Sequence, residues 1–378
     1  MRFLHTSDWH LGASDGDRSL LEDQLFFIEE LCRIAGEEHV GAVLVTGDVF
    51  DRSVASADAV SLYDAAMTRL CSGLGIPVLV IAGNHDSAER LSVCGRLLEG
   101  AGLYVCGAAQ RAPRVVSIDD TDFYLLPWIT EAKIKSLYPE KSGDICDLSS
   151  AYAAVTEEMR SRFVPGRRHV LLAHAFVTDS ETSTSDRAAE IGFASQIPAS
   201  VFDGFNYAAL GHLHKPQSVT ESIRYSGTPM PYSFGKEEEQ VKSVTVVDTA
   251  DMSQRQIPLR LLHERRTLEG SFEELLRPEC DESVKNGYVR LRVTDRYVGL
   301  EAVAQLREVY PNYIEIIGQS FGSEGSSVTM TRDELEAMES EPAEVFRYFC
   351  REELECEVDE RRLRMFEEAV KTVMEGEA

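Results

Sequence analysis

The stretch Val78-Leu79-Val80-Ile81-Ala82-Gly83-Asn84-His85-Asp86 decides how this chain is read. An apolar run rich in β-branched residues predicts a buried strand, and Gly83 marks where it ends. The amide, imidazole and carboxylate that follow are poorly explained by packing. Four other strings repeat the arrangement. They are Asp8-Trp9-His10 after residues 2–5, Gly47-Asp48-Val49-Phe50-Asp51 after 42–46, His174 after 170–173, and Gly211-His212-Leu213-His214 after 207–210. Taken singly, an Asp-x-His string arises by chance and a Gly-Asp after a strand is usually a turn. Five of the nine histidines fall in these strings, in order and each at a strand end, and so the strings read as one site.

Working outward, residues 123–126 and 244–247 are further candidate strands. Helical patterns cover roughly 20–38, 56–74, 88–99 and 150–163. In the first of these, Leu21, Leu25, Ile28, Leu31, Cys32 and Ala35 recur at helical spacing. Strand–helix alternation predicts an α/β sheet with helices outside it, and ligands gather beyond the carboxyl ends of such strands. The five strings sit there. This domain is expected to span 1–250, closing after the charged loop 235–240 and a strand at 243–248. Residues 255–318 read as a small α+β unit, with strands at 288–293 and 313–317 and a helix at 300–309. Residues 319–330, rich in Gly and Ser, read as a linker, and 331–378 as two charged amphipathic helices.

Bulk properties narrow the function classes. No apolar run approaches the roughly 18 residues of a membrane span. The chain opens directly into the first motif without an apolar leader, and a cytoplasmic protein is expected. The eight cysteines form no Cys-x-x-Cys pair and read as reduced thiols, mostly filling the core. A net charge of −26 argues against a free-standing nucleic-acid binder, because affinity for DNA comes from Lys and Arg neutralising phosphates. Residues 331–378 alone hold 7 Lys and Arg against 16 Asp and Glu. A DNA substrate would need help from metal or from a basic partner.

The chemistry follows from the donor types. Asp8 and His10, two apart where a strand ends, can both turn toward one ion. Carboxylate oxygen with imidazole nitrogen suits manganese, iron or zinc better than calcium. Asp48, with two oxygens, can bridge two ions. Asn84 adds an oxygen without charge, and His174, His212 and His214 complete the set. Two divalent ions clamp a phosphate and acidify water, which points to phosphate-ester cleavage. His85 neighbours the ligand Asn84 and is the expected catalytic residue, stabilising or protonating the leaving oxygen. Asp86 is expected to orient a neighbouring ligand or cap a helix, and Asp51 to do likewise or contact substrate. His5 reads as a strand residue, and His39, His169 and His263 as solvated.

With these strings in hand, the chain resembles the calcineurin-like metallophosphoesterases. Within them it resembles the family of bacterial SbcD exonuclease subunits, relatives of the Mre nucleases of break repair. Residues 1–12 (Met-Arg-Phe-Leu-His-Thr-Ser-Asp-Trp-His-Leu-Gly), Leu210-Gly211-His212-Leu213-His214-Lys215-Pro216-Gln217 and Tyr225-Ser226-Gly227-Thr228-Pro229 carry the likeness. It runs from residue 1 to about 318 and more loosely to the end, specific in the metal domain and weaker beyond that domain.

The resemblance implies a four-layer sandwich, two central sheets flanked by helices, with a small α+β DNA-capping domain and C-terminal helices. It implies one ion held by Asp8, His10, Asp48 and His214, and a second held by Asp48, Asn84, His174 and His212, with His85 as the catalytic histidine. Manganese is the expected metal, with magnesium as the alternative. The implied activity is 3′–5′ exonuclease cleavage of duplex DNA and endonuclease cleavage of single strands and hairpins, in DNA repair, recombination and replication. The implied partners are DNA, a second copy of the chain, and two coiled-coil ATPase subunits of the SbcC type that receive the C-terminal helices. Archaeal and eukaryotic relatives carry histidine where this chain has Asp51, so a second histidine at the phosphate is not implied.

Two rivals use the same residues. A metallophosphatase or phosphodiesterase for small molecules or phosphoproteins is disfavoured by Gly-Asn-His-Asp in place of Gly-Asn-His-Glu and by the extra C-terminal units. A non-catalytic DNA-end scaffold is disfavoured because every ligand type and His85 are present.

Overall fold

The structure is a computed structural model. It describes residues 1–16, 18–178, 180–183, 185–186, 196–277, 282–296, 298–319, 327–331, 346–347 and 361–366. The chain divides into two compact units, Met1–Ser14 with Ser19–Leu262, and Asp15–Arg18 with His263–Ala378.

The strands of the two large sheets of the first unit, in chain order, are β1 (Arg2–Thr6), β2 (Ala42–Thr46), β3 (Val78–Ile81), β4 (Leu103–Cys106), β5 (Arg114–Ile118), β6 (Thr121–Leu126), β7 (Arg168–His174), β8 (Tyr207–Gly211), β9 (Gln217–Ser218), β10 (Ile223–Tyr225), β11 (Ser243–Asp248) and β12 (Gln254–Pro258). They form two six-stranded sheets, ordered β12-β11-β1-β2-β3-β4 and β9-β10-β8-β7-β6-β5. Strands β1 to β4 run parallel, with β11 antiparallel against β1. In the second sheet β6, β7, β8 and β10 run parallel.

The strands read as continuous apolar runs because both of their faces are buried. In β2, Val43 and Val45 face the helices, whereas Ala42 and Leu44 face the other sheet. Phe3, Leu79, Ile81, Phe123, Leu125, Val170, Leu172, Tyr207 and Ala209 fill the layer between the sheets. Helix Leu21–Glu37 covers the first sheet with Phe27, Ile28, Leu31 and Ile34. Helix Leu148–Arg160 covers the second with Ala151, Tyr152, Val155 and Met159. The result is the expected four-layer α/β sandwich.

Three local expectations change. Leu25 is exposed and lies off the apolar stripe, which Phe27 continues instead. The helix expected at 88–99 is two short pieces, Ala88–Leu91 and Gly95–Leu98, because Cys94 between them adopts a left-handed conformation (φ +56°). His169 is buried, stacked on Phe163 at 3.9 Å, and is not solvated. His39 is exposed and His263 half-buried.

The second unit carries a four-stranded sheet, β13 (Arg265–Gly270), β14 (Tyr288–Val293), β15 (Tyr313–Gln319) and β16 (Ser327–Thr331). Helix Leu300–Val309 belongs to the same unit, where Val303 and Leu306 pack with Val289, Leu291 and Ile316. Strand β16 lies largely within the stretch read as a linker. The edge strand β12 pairs with β11 and so belongs to the first sheet. Most of 331–378 lies outside the described residues. Of its two helical stretches, the rings of Phe346 and Phe366 stack at 4.4 Å. No helix among the described residues is long and apolar enough to cross a membrane.

Candidate metal centre

The carboxyl ends of β1, β2, β3, β7 and β8 bring all seven expected ligands and His85 to one edge of the paired sheets. Backbone bonds join the first two loops, from Asp8 N to Gly47 O (3.1 Å) and from His10 N to Asp48 O (2.9 Å). Asp8, His10, Asp48 and His212 all have positive φ, at 51°, 44°, 47° and 103°. Non-glycine residues rarely adopt this conformation, and clustering of it marks a site where geometry is maintained against strain. At Gly47 (φ +93°) an added Cβ would lie 2.3 Å from His174 Nδ1, and at Gly83 it would lie 2.0 Å from Asp48 Oδ1. Side chains are absent there so that these loops can close on the ligands.

Asp48 is the hub. Its Oδ1 accepts the backbone N–H of His85 at 2.9 Å. Its Oδ2 lies 3.4 Å from His174 Nε2 and 4.0 Å from both His10 Nε2 and His85 Nε2. On one side His10 Nε2 meets His214 Nε2 at 3.2 Å, with Asp8 close enough to join His10 and Asp48 in a three-residue cluster. On the other side Asn84 Oδ1 lies 2.9 Å from His174 Nε2 and 3.1 Å from His212 Nδ1. Asp8 receives the backbone N–H of His212 at 2.9 Å, which ties the first string to the last.

The donor chemistry fits cations. His174 donates Nδ1–H to the Thr46 carbonyl at 2.9 Å, so in the neutral ring Nε2 aims a lone pair at two acceptors, Asn84 Oδ1 and Asp48 Oδ2. Lone pairs at such distances repel unless positive charge, from a proton or a metal ion, sits among them. Burial opposes charging His174, yet Asp48 and Asp8 outweigh it and raise its pKa to about 9. Burial lowers His212 to about 3 and His10 well below the usual histidine range, leaving neutral imidazoles of the kind that bind metal. Burial raises Asp8 to about 6. Burial also opposes ionising Asp48, yet the surrounding imidazoles, His174 foremost, outweigh it and hold Asp48 well below the usual carboxylate range.

His85 sits at the mouth, its Nδ1–H donated to the Asp51 carbonyl at 2.8 Å. A cavity of about 160 Å³ opens here, lined by His10, Asp48, Asp51, His85, Asp186, His212, His214 and Tyr232 among others. Asp86 does not face the ligands. Its carboxylate accepts the N–H groups of Val49, Phe50 and Gly83 at 2.9–3.1 Å and so splints two loops. Asp51 Oδ1 lies 3.8 Å from His10 Nδ1.

Sequence reasoning does not find several neighbours. Trp128 stacks on His212 at 5.4 Å, and Tyr232 lies edge-on to His10 at 5.6 Å. Ser185, Asp186 and Glu237 surround His214 Nδ1. Each is a single residue in a loop with no recurring spacing. Only the charge density of 235–240 offers a signal, and it reads as a charged loop near the end of the domain.

Comparison with known proteins agrees with this geometry. Residues 262–353 match the family described as Type 5 capsule protein repressor C-terminal domain. The chain is 29% identical over 320 residues to the SbcD subunit of nuclease SbcCD from Staphylococcus epidermidis, covering 84% of this chain and 85% of that protein. It is 28% identical over 324 residues to the corresponding SbcCD nuclease subunit of Staphylococcus saprophyticus, covering 85% of each. Residues 1–216, which contain every expected ligand and His85, match the family Calcineurin-like phosphoesterase. With its strand-end ligands drawn together around Asp48, the chain belongs to the calcineurin-like phosphoesterases.

Proposed function

We propose that the chain is the nuclease subunit of a two-component DNA-processing complex, a metal-dependent phosphodiesterase that works with a coiled-coil ATPase of the SbcC type. The observation that carries this reading is the convergence of five strand-end loops on Asp48, one carboxylate oxygen facing three imidazoles. Two relatives named as SbcD subunits of the SbcCD nuclease supply the substrate class and the partner.

In this reading one ion would be held by Asp8, His10, Asp48 and His214, and the other by Asp48, Asn84, His174 and His212. When bound, the ions polarise the phosphate and acidify water. The mixed carboxylate and imidazole set favours manganese over magnesium, which prefers oxygen and retained water.

The chain's own residues do the rest. His85 holds a proton on Nδ1 against the Asp51 carbonyl, which turns Nε2 toward the cavity. From there a protonated Nε2 stabilises charge on the phosphate or gives its proton to the leaving oxygen. Asp86 holds the loops of Asp48 and Asn84 in register. The homodimer, the cytoplasmic setting and docking of residues 331–378 on the ATPase belong to the same proposal.

A side-by-side assay with manganese tests it: linear duplex, hairpin and single-stranded DNA against nucleotides and phosphopeptides, with and without the ATPase partner. DNA cleavage is expected to dominate. Turnover of nucleotides or phosphopeptides with DNA left intact would overturn it.

A further inference from the structure

We propose that Glu237 is a positioning residue for the ion held by His10 and His214, acting through Ser185 and His214. This rests on the two-ion reading above and goes beyond its ligand set.

The charged loop 235–240 does not present all of its acids to water. Glu237 is fully buried, and so is Lys242. The Ser185 hydroxyl donates to Glu237 Oε1 and faces His214 Nδ1. An oxygen already donating its one hydrogen can only accept from the ring, so Nδ1 carries the proton. That leaves Nε2 with its lone pair, aimed at the position shared with His10 Nε2 at 3.2 Å. The order is therefore carboxylate, hydroxyl, imidazole, ligand position. Partners of this kind fix tautomer and ring orientation in metal sites.

Two further contacts favour positioning over mere packing. Glu237 Oε2 accepts the backbone N–H of Tyr232 at 2.8 Å, and the Tyr232 ring lies 5.6 Å from the ring of His10. One carboxylate thus reaches toward both imidazoles on this side of the centre. Lys242 Nζ lies 3.6 Å from Glu237 Oε2 and donates to the His214 carbonyl at 3.1 Å and to Thr228 Oγ1 at 2.8 Å. The buried carboxylate is thereby balanced, as a buried charge must be. On the other side of the centre His174 takes its orientation from the Thr46 carbonyl, so Glu237 has no part there.

The test is manganese binding to the full chain, followed by titration calorimetry and by electron paramagnetic resonance, for wild type, Glu237→Gln, Ser185→Ala and His214→Ala. Glu237→Gln retains an acceptor for Tyr232 N–H. It is expected to weaken one of the two ions by about 10–100-fold and leave the other unchanged. Ser185→Ala leaves the Glu237–Lys242 pair in place and is expected to shift the same ion in the same direction, and it serves as the readout should Glu237→Gln fold poorly. Adding Glu237→Gln to His214→Ala is expected to cost nothing further at that ion. Unchanged affinities in both single variants, or equal weakening of both ions, would overturn the proposal while the two-ion reading stands. A wild-type chain that binds fewer than two ions would overturn both.

Discussion

The imidazole of His174 donates its Nδ1 hydrogen to the Thr46 carbonyl, 2.9 Å away in the neighbouring sheet. This one bond crosses the layer between the sheets and decides which nitrogen of His174 meets Asn84 and Asp48. It exists because Gly47, next along the chain, has no side chain to block the ring. Gly47→Ala would place a methyl 2.3 Å from His174 Nδ1 at a φ of +93°. The variant is expected to lose roughly 1–3 kcal/mol of stability. Urea denaturation measures that loss, and a manganese titration should show weakened binding as well. Wild-type affinity in a destabilised variant would separate Gly47 from the site.

His85 anchors Asp48 with its backbone N–H and reaches the cavity with its side chain. His85→Ala removes only the second role. Both ions should still bind, while turnover of a small phosphodiester should fall by about 10²–10⁴-fold, the usual contribution of a general acid or base. Lost metal, or near-normal turnover, would contradict the assignment.

Asp86 accepts three backbone N–H groups from two loops. A stranded buried donor costs about 1–3 kcal/mol, so Asp86→Ala, which strands three, should destabilise the chain by roughly 3 kcal/mol or more and Asp86→Asn by less. Equal stability of the two variants in urea would show that the carboxylate is not splinting the loops.

Much of the site is legible in the sequence because strand ends label themselves. An apolar run that stops at Gly83 or Gly211 and is followed by polar residues has little reason to be polar unless it faces something. Helix Leu21–Glu37 is legible for the same periodic reason, apart from Leu25, which faces solvent while Phe27 continues the buried stripe. What escapes is whatever depends on the far side of the fold. Glu237 sits in a run of acids and is buried only because His214 and Lys242 approach it from elsewhere. His169 is charge-capable and follows two arginines in sequence, but Phe163 covers its ring. The strand β16 adjoins a Gly- and Ser-rich stretch whose composition masks it, although Val and Thr favour strands, and its pairing with β15 is what separates it from a linker.

Acid should loosen a specific joint. Glu30 on the first helix accepts from Arg260 at 2.8 Å and from Arg33 at 3.0 Å. The Arg260 bond, foremost, lowers its pKa from 4.5 to about 2 against the opposing effect of burial. A depressed carboxyl contributes stability that is fully present above the unfolded value and is lost as pH falls through the folded one. Wild type should therefore lose stability between about pH 4.5 and 2 faster than Glu30→Gln does. Parallel acid limbs in urea titrations would refute the joint.

The thiols offer a check on burial. Cys94 and Cys146 are exposed, whereas Cys32 and Cys106 are buried. Burial also raises the Cys106 thiol to about 11, further reducing thiolate at neutral pH. Brief alkylation of the native chain followed by peptide mapping should label Cys94 and Cys146 and spare Cys32 and Cys106. Rapid labelling of Cys106 would contradict the packing between the two sheets.

The most direct test of the account is anomalous diffraction from crystals grown with manganese. Two peaks are expected on either side of the Asp48 carboxylate, about 3.5–4 Å apart as in two-metal phosphoesterases, one beside His10 and His214 and the other beside Asn84, His174 and His212. A single peak, or two peaks that do not share Asp48, would contradict it.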